Sequence, residues 1–410
     1  MKRMLRVTAG VLAVCCLPLG GCSAPTARDR MEGVKPQPLT LTQTTEDEWS
    51  RVADFGVRLL QTTAEEEKNT LISPLSVLCA LAMTANGAKG ETLAQMEDTL
   101  GAPVERLNQA VHTLMGQEDD AMRLANSIWL AQRDDLTVNQ DFLQTNANYY
   151  GAGVYQAPFD QTTVREINRW VEEETHGMVE EILDEIPADT VMYLVNALAF
   201  EAEWESVYTQ ADVWEGSFTT QAGESQSVEM MHSQEAGFLQ DDLATGFLKP
   251  YAGGKYAFVA LLPNEGVTVE EYVDTLTGEH LRALLGDAKN TPVMAAIPKF
   301  ESGSDVTFTQ ALEDMGMTMA FDGTQADLSG LGTYAGGNLF VNQVLHKTYI
   351  SVAEQGTRAG AATAVEVNGE SMLEPDKFIE VTLDRPFVYL LVDMEHQMPL
   401  FLGTMLTVHS

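Results

Sequence analysis

Cysteine is nearly absent from this sequence. Four occur in 410 residues, and three of them, Cys15, Cys16 and Cys22, lie within the first 22 positions, which leaves Cys79 alone in the rest of the chain. A single thiol closes no intramolecular disulfide, so no cystine framework holds the fold. Cys79 sits in an apolar stretch of helical pattern and reads as a small core residue rather than a nucleophile. Cations are scarce too: 24 Lys and Arg stand against 60 Asp and Glu, a formal net charge of −36. Nucleic-acid binders need clustered cations to neutralise phosphates, and the imbalance argues against that class. The excess of carboxylates favours solubility and speeds encounter with cationic partners. No His/Cys grouping has metal-ligand spacing, and neither GxSxG nor HExxH occurs, so no metal, no cofactor and no hydrolase chemistry is expected. Proline is missing from the whole interval between Pro298 and Pro375, so every backbone N–H there is available to a hydrogen-bond ladder.

What the chain does contain begins with a processing signal. Lys2, Arg3 and Arg6 precede an apolar run, Val7 to Pro18, that is too short to span a bilayer comfortably and reads as an export signal. The run ends in Leu19-Gly20-Gly21-Cys22, which resembles the bacterial lipoprotein processing site. That resemblance implies a signal peptide over residues 1–21, cleavage before Cys22 and a diacylglycerol on its thiol. The protein is then expected on the outer face of a bacterial cell membrane, since several buried acyl chains anchor stably. Residues 22–45, rich in Thr, Pro, Ala and charge, are expected to form a flexible tether.

From Glu46 onward no linker, repeat or low-complexity segment interrupts the chain, and 45% hydrophobic residues suffice for one large mixed domain over 46–410. Trp49, Val52, Phe55 and Leu59 recur at helical spacing. Ser73-Pro74 reads as an N-cap followed by proline at the first helical position, opening a helix from Leu75 to Asn86. Further helices are expected over Gly90 to Leu100 and Thr163 to Thr175. Val191 to Phe200 and Tyr256 to Leu262 are apolar on both faces, as strands covered on both sides are. Asn338 to Ala353 alternates for most of its length without Gly or Pro, a long strand against a typical length of about five or six residues. Arg385 to Asp393 and Met398 to Thr407 read as a closing hairpin. Helices mainly first and strands mainly last predict an α+β fold.

The segment after the long strand carries the functional signal. It runs Glu354-Gln-Gly-Thr-Arg-Ala-Gly-Ala-Ala-Thr-Ala-Val-Glu-Val367 and consists mostly of small residues. Such a stretch serves as a linker in many proteins, yet its parity is clean. The odd positions Thr357, Ala359, Ala361, Thr363, Val365 and Val367 carry no charge, while Glu354, Arg358 and Glu366 fall on even positions. Side chains alternate across a strand, so the segment is able to enter a sheet with odd residues inward and its charges in water. A strand of about ten residues adds roughly ten backbone bonds of about 0.5–1.5 kcal/mol each. The sum is comparable with the stability of a whole domain.

Several segments together resemble the serpin family. They are Asn69-Thr-Leu-Ile-Ser-Pro-Leu-Ser-Val77, Asn196-Ala-Leu-Ala-Phe-Glu-Ala-Glu-Trp204, Ile297-Pro-Lys-Phe300, Ala326-Asp-Leu-Ser-Gly330, His346-Lys347, Arg385-Pro-Phe387 and Pro399-Leu-Phe-Leu-Gly403, with Glu354 to Thr363 as the loop hinge. The resemblance covers about residues 46–410 and implies a serpin fold: three β-sheets, eight to nine helices and an exposed reactive loop. It implies no enzyme but a monomeric, irreversible inhibitor whose partners are serine, or cysteine, proteases. The cleaved loop inserts as a strand and traps the acyl-enzyme; strand addition and release of stored strain are general descriptions of serpins, and nothing in the composition derives them. The implied hinge comprises Glu354, Gly356, Thr357, Ala359, Ala361, Ala362 and Thr363. The implied shutter comprises Ser73, Ser76, Asn196 and His346, with His346 a buried histidine partnered by the other three. The implied breach comprises Trp204 and a Lys299–Glu354 pair. Counting from Gly356 places the reactive bond between Glu370 and Ser371; a slipped register makes Met372 or Val367 the residue before the cut. Two departures stand out: Arg358 where the family usually has Glu, and Gln355 at a commonly acidic position. The alternative is a non-inhibitory serpin acting as a surface binding protein, but such members often carry bulky, charged or proline residues at inward hinge positions, and this chain does not.

Overall fold

The computed structural model describes residues 27–116, 121–357 and 379–408. Cys22 and the signal segment lie outside the described residues, as do Arg358, Ala359, Ala361, Ala362, Thr363, Val367, Glu370, Ser371 and Met372.

Among the described residues there are nine α-helices and three sheets of eight, nine and two strands. Six of the helices precede residue 175 and strands dominate afterwards, in agreement with the α+β expectation. The helix Glu46–Thr63 starts in a capping box between Thr45 and Glu48 and buries Trp49, Val52, Phe55 and Leu59 along one side. The helix Pro74–Ala85 is buried at every position, begins on the Ser73 side-chain cap and touches strands of both large sheets. It carries Cys79 into the core. The nine-stranded sheet holds the fully buried strand Tyr256–Pro263 beside the hairpin Phe387–Asp393 and Met398–Met405. The long strand begins at Gln343 rather than Asn338. The preceding residues are engaged elsewhere: Val341 N–H donates to Ala320, and the Asn342 side-chain oxygen accepts from the N–H groups of Val191 and Met192.

The expected tether needs correction from Ala27 onward. Arg28–Asp29 pairs with Gln156 and Tyr155 at the edge of the eight-stranded sheet. Met31 and Val34 pack on the core, Gln37 N–H donates to Asn148 and Thr42 N–H to Gln109. A segment of polar composition still lies flat where a sheet edge and helix side chains offer its backbone partners.

Candidate functional site

In the eight-stranded sheet the parallel strands Met192–Phe200 and Gln343–Val352 are paired only from Gln343↔Tyr193 to His346↔Asn196. Beyond that point the ladder between them stops. At the far end a short strand, Gly356–Thr357, lies between them, pairing Val352↔Thr357 on one side and Gly356↔Glu203 and Thr357↔Ala202 on the other. Residues 347–351 face residues 197–201 across an interval that no strand fills among the described residues. On its other side the strand Gln343–Val352 is laddered over Leu345–Val352 to Phe300–Thr307. A cavity of about 920 Å³ lies beside these strands, lined by Arg165 and Arg169 of the helix Gln161–Glu174 and by Ser304, Lys347 and Tyr349.

At the mouth of the interval the chain reverses in a tight turn in which Ala353 and Gly356 exchange backbone hydrogen bonds. Glycine is required at 356 because a Cβ there would collide with the carbonyl oxygen of Ala202. Thr357 is fully buried, and its hydroxyl is hydrogen-bonded to that of Tyr251. Three further bonds hold the turn. Trp204 donates its N–H to Gln355 O at 2.8 Å and its indole Nε1 to Ala353 O at 2.8 Å, and Tyr208 N–H donates to Glu354 O at 2.9 Å. The Trp204 ring stacks on Tyr251 with centroids 4.5 Å apart. Lys299 Nζ lies 2.9 Å from Glu354 Oε1 and 3.0 Å from Glu229 Oε2. Burial opposes both charges, but it is outweighed at Lys299 by hydrogen bonds to Glu354 and Glu229, which raise the ammonium, and at Glu354 by the bond to Lys299, which lowers the carboxyl. Both side chains remain about a third exposed, so the pair is worth under about 1 kcal/mol.

At the closed end, His346 is buried and its Nε2 accepts from the Ser73 N–H at 3.1 Å. Burial pulls the imidazole down to about 3, so the ring is neutral with its proton on Nδ1. Ser73 Oγ accepts from the Ser76 N–H. The partnership expected for His346 is corrected: among the described residues it bonds the Ser73 backbone alone, and Ser76 Oγ, Asn196 Oδ1 and His346 Nδ1 have no hydrogen-bond partner among them. Asn196 turns instead to Asn126, directly opposite it in the strand Met122–Ala131. Asn126, Tyr208 and Tyr251 escaped the sequence reading, because cross-strand register is not visible in any one segment.

Strands parted among the described residues, a hinge strand at the mouth of the interval and a buried His–Ser cluster at its closed end define a protein whose main sheet is divided between two central strands. The family profile described as serpin (serine protease inhibitor) matches residues 50–408, and the chain belongs to this family. Tengpin, a thermophilic serpin, is 43% identical, and its native-state crystal structure superposes with a TM-score of 0.89 over 93% of this chain and all of that one. Against the latent state of the same relative the TM-score is 0.79, so the arrangement described here is nearer the native form. A serpin-like protein of Thermococcus kodakarensis is 29% identical over 87% of this chain and 84% of its own. The leukocyte elastase inhibitor A of Rattus norvegicus is 29% identical over 85% and 96%. Thyroxine-binding globulin, at 24% identity and a TM-score of 0.76, shares the fold.

Proposed function

We propose that this chain is a suicide inhibitor of proteases, serine class foremost, that traps the acyl-enzyme by drawing its cleaved loop into the eight-stranded sheet. The observation that carries this reading is the interval between 197–201 and 347–351, which no strand fills among the described residues, with buried Thr357 at its mouth. Extending the same register sets 358–362 opposite 351–347 on one side and 201–197 on the other. In that register odd loop residues share the inward face of Thr357, and these are uncharged, so insertion buries no lone charge. Arg358 falls on the outward face, opposite Ser351 and Glu201.

Mixing the protein with a panel of serine and cysteine proteases is expected to give a one-to-one complex that survives denaturing electrophoresis, with the loop cut between Glu370 and Ser371 by fragment mass. Thr357→Arg, which forces a guanidinium into the fully buried site beside Tyr251, is expected to abolish the complex and leave a cleaved substrate. Proteases that only clip the wild-type loop and leave free would instead support a non-inhibitory binding protein.

We further infer a lipid anchor at Cys22 that holds a monomer on the outer face of a bacterial membrane, on the support of the basic, apolar, Gly-Gly-Cys order at the N-terminus. Cys22→Ser is expected to move the protein from the membrane fraction to the soluble one, and unchanged fractionation counts against the anchor.

A further inference from the structure

A buried ion pair lies against the segment that grips the hinge. Lys249 is 1% exposed and Glu235 7%, and their Nζ and Oε1 are 2.8 Å apart. The ammonium also donates to Ser206 O at 3.2 Å and sits 4.4 Å from the Tyr208 ring centroid and 5.3 Å from that of Trp204. The carboxylate extends the grip, because Glu235 Oε1 accepts from the Ser233 hydroxyl at 2.6 Å, which is 3.1 Å from the Tyr208 hydroxyl. Residues 204–208 are thus held from below at Ser206, at both rings and at the Tyr208 hydroxyl. From above, the same residues donate one hydrogen bond to each of the hinge carbonyls of Ala353, Glu354 and Gln355. Lys249 also stands two residues before Tyr251, whose hydroxyl bonds Thr357.

A buried pair seldom gains stability over well-packed apolar residues of similar volume, and in some proteins buried polar groups instead fix one arrangement of their surroundings. The arrangement held here is the one in which Gly356 and Thr357 are paired between Val352 and residues 202–203.

We propose that Lys249 and Glu235 are positioning residues for loop insertion, acting through residues 204–208 to hold the hinge 353–357 in its partly entered state. The hold on the hinge stands on geometry alone, and its consequence for trapping rests on the inhibitor reading above.

The double variant Lys249→Met with Glu235→Leu removes both charges together and leaves neither buried alone. Hydrogen exchange read by mass spectrometry is expected to quicken at the amides of Trp204 and Tyr208 by about tenfold or more, with the amides of 257–262 and 388–392 unchanged. Tyr208→Phe keeps the ring over Lys249, deletes only the hydroxyl link, and is expected to quicken exchange at 208 by about threefold; it decides the matter if the double variant does not fold. Unchanged exchange at 204 and 208, or equal acceleration at the control strands, overturns the proposal. In the same double variant the share of protease encounters that end in simple cleavage is expected to rise at least about twofold over wild type, since a hinge that wanders inserts late. Loosened amides with an unaltered share overturn the role in insertion. A wild-type protein that traps no protease overturns the inhibitor reading, and exchange at 204 and 208 then decides the hold by itself.

Discussion

His346 is a histidine that must stay neutral. Its Nε2 accepts a hydrogen bond from the Ser73 N–H, and burial pulls its pKa down to about 3. An exposed imidazole titrates near 6.5, so between those values the unfolded chain binds the proton and the folded chain does not. The stability this ring contributes is complete above about pH 6.5 and is lost as pH falls, at up to roughly 1.4 kcal/mol per pH unit. The Glu48 carboxyl, hydrogen-bonded by Arg106, is held down at about 2 and stays ionised over this range. Urea unfolding at pH 7 and pH 5 is therefore expected to show a fall in stability of about 1–2 kcal/mol for wild type that largely vanishes in His346→Gln. An equal fall in both proteins would assign the loss to other groups. The ring also stands opposite Asn196 in the last pair before the strands part, so charging it strains the point where the sheet opens.

The helix Gln161–Glu174 covers that same point from the other face. Its Ile167 and Val171 pack with Trp129, Tyr193, Val195 and Leu345, residues of the strands that pair below the interval. Ile167→Ala removes a fully buried side chain and is expected to cost about 2–5 kcal/mol, read as an earlier denaturation midpoint. Because the lost contacts fasten the strands that must separate for insertion past residue 362, the variant is also expected to lose inhibitory activity faster on storage at 37 °C. Parallel decay with wild type would detach the helix from that step. The element itself was legible in the sequence, since Ile167, Trp170 and Val171 recur at helical spacing, although it starts at Gln161 on an Asp160 cap rather than at Thr163. The helix Gly90–Leu100 and the closing hairpin were equally legible, each bounded by its own turn or cap residues. The packing of residues 27–45 was not, because a polar, Pro- and Thr-rich segment gains order there from partners such as Tyr155, Asn148 and Gln109 that lie far along the chain. The site divided in the same way. Lys299–Glu354 and the His346–Ser73 contact followed from segments recognisable one at a time, whereas the Asn126–Asn196 bond and the Lys249–Glu235 network arise only from register between strands.

Across the whole molecule, the inhibitor reading requires that the sheet hold back part of its own stabilisation. Met192–Phe200 is paired on its outer side with Met122–Ala131, and Leu345–Val352 with Phe300–Thr307, yet among the described residues the two strands stand apart over five residues on the sides that face each other. A segment of 358–362 entering between them gains ladder bonds on both flanks without disturbing any existing pair, and continuation to Thr363 begins to replace the four pairs from His346↔Asn196 to Gln343↔Tyr193. Ten or so ladder bonds at about 0.5–1.5 kcal/mol each give on the order of 10 kcal/mol, before any burial of side chains. Cleavage of the reactive loop is therefore expected to raise Tm by more than about 10 °C, measured by calorimetry on intact and nicked protein. A cut alone relaxes the chain without filling the sheet, and nicked Thr357→Arg separates the two effects. Its loop is severed but its first inward residue carries a charge, so it should melt near the intact protein. If nicked wild type also melts there, the open interval is not a reservoir for a strand, and the metastability on which trapping depends is absent.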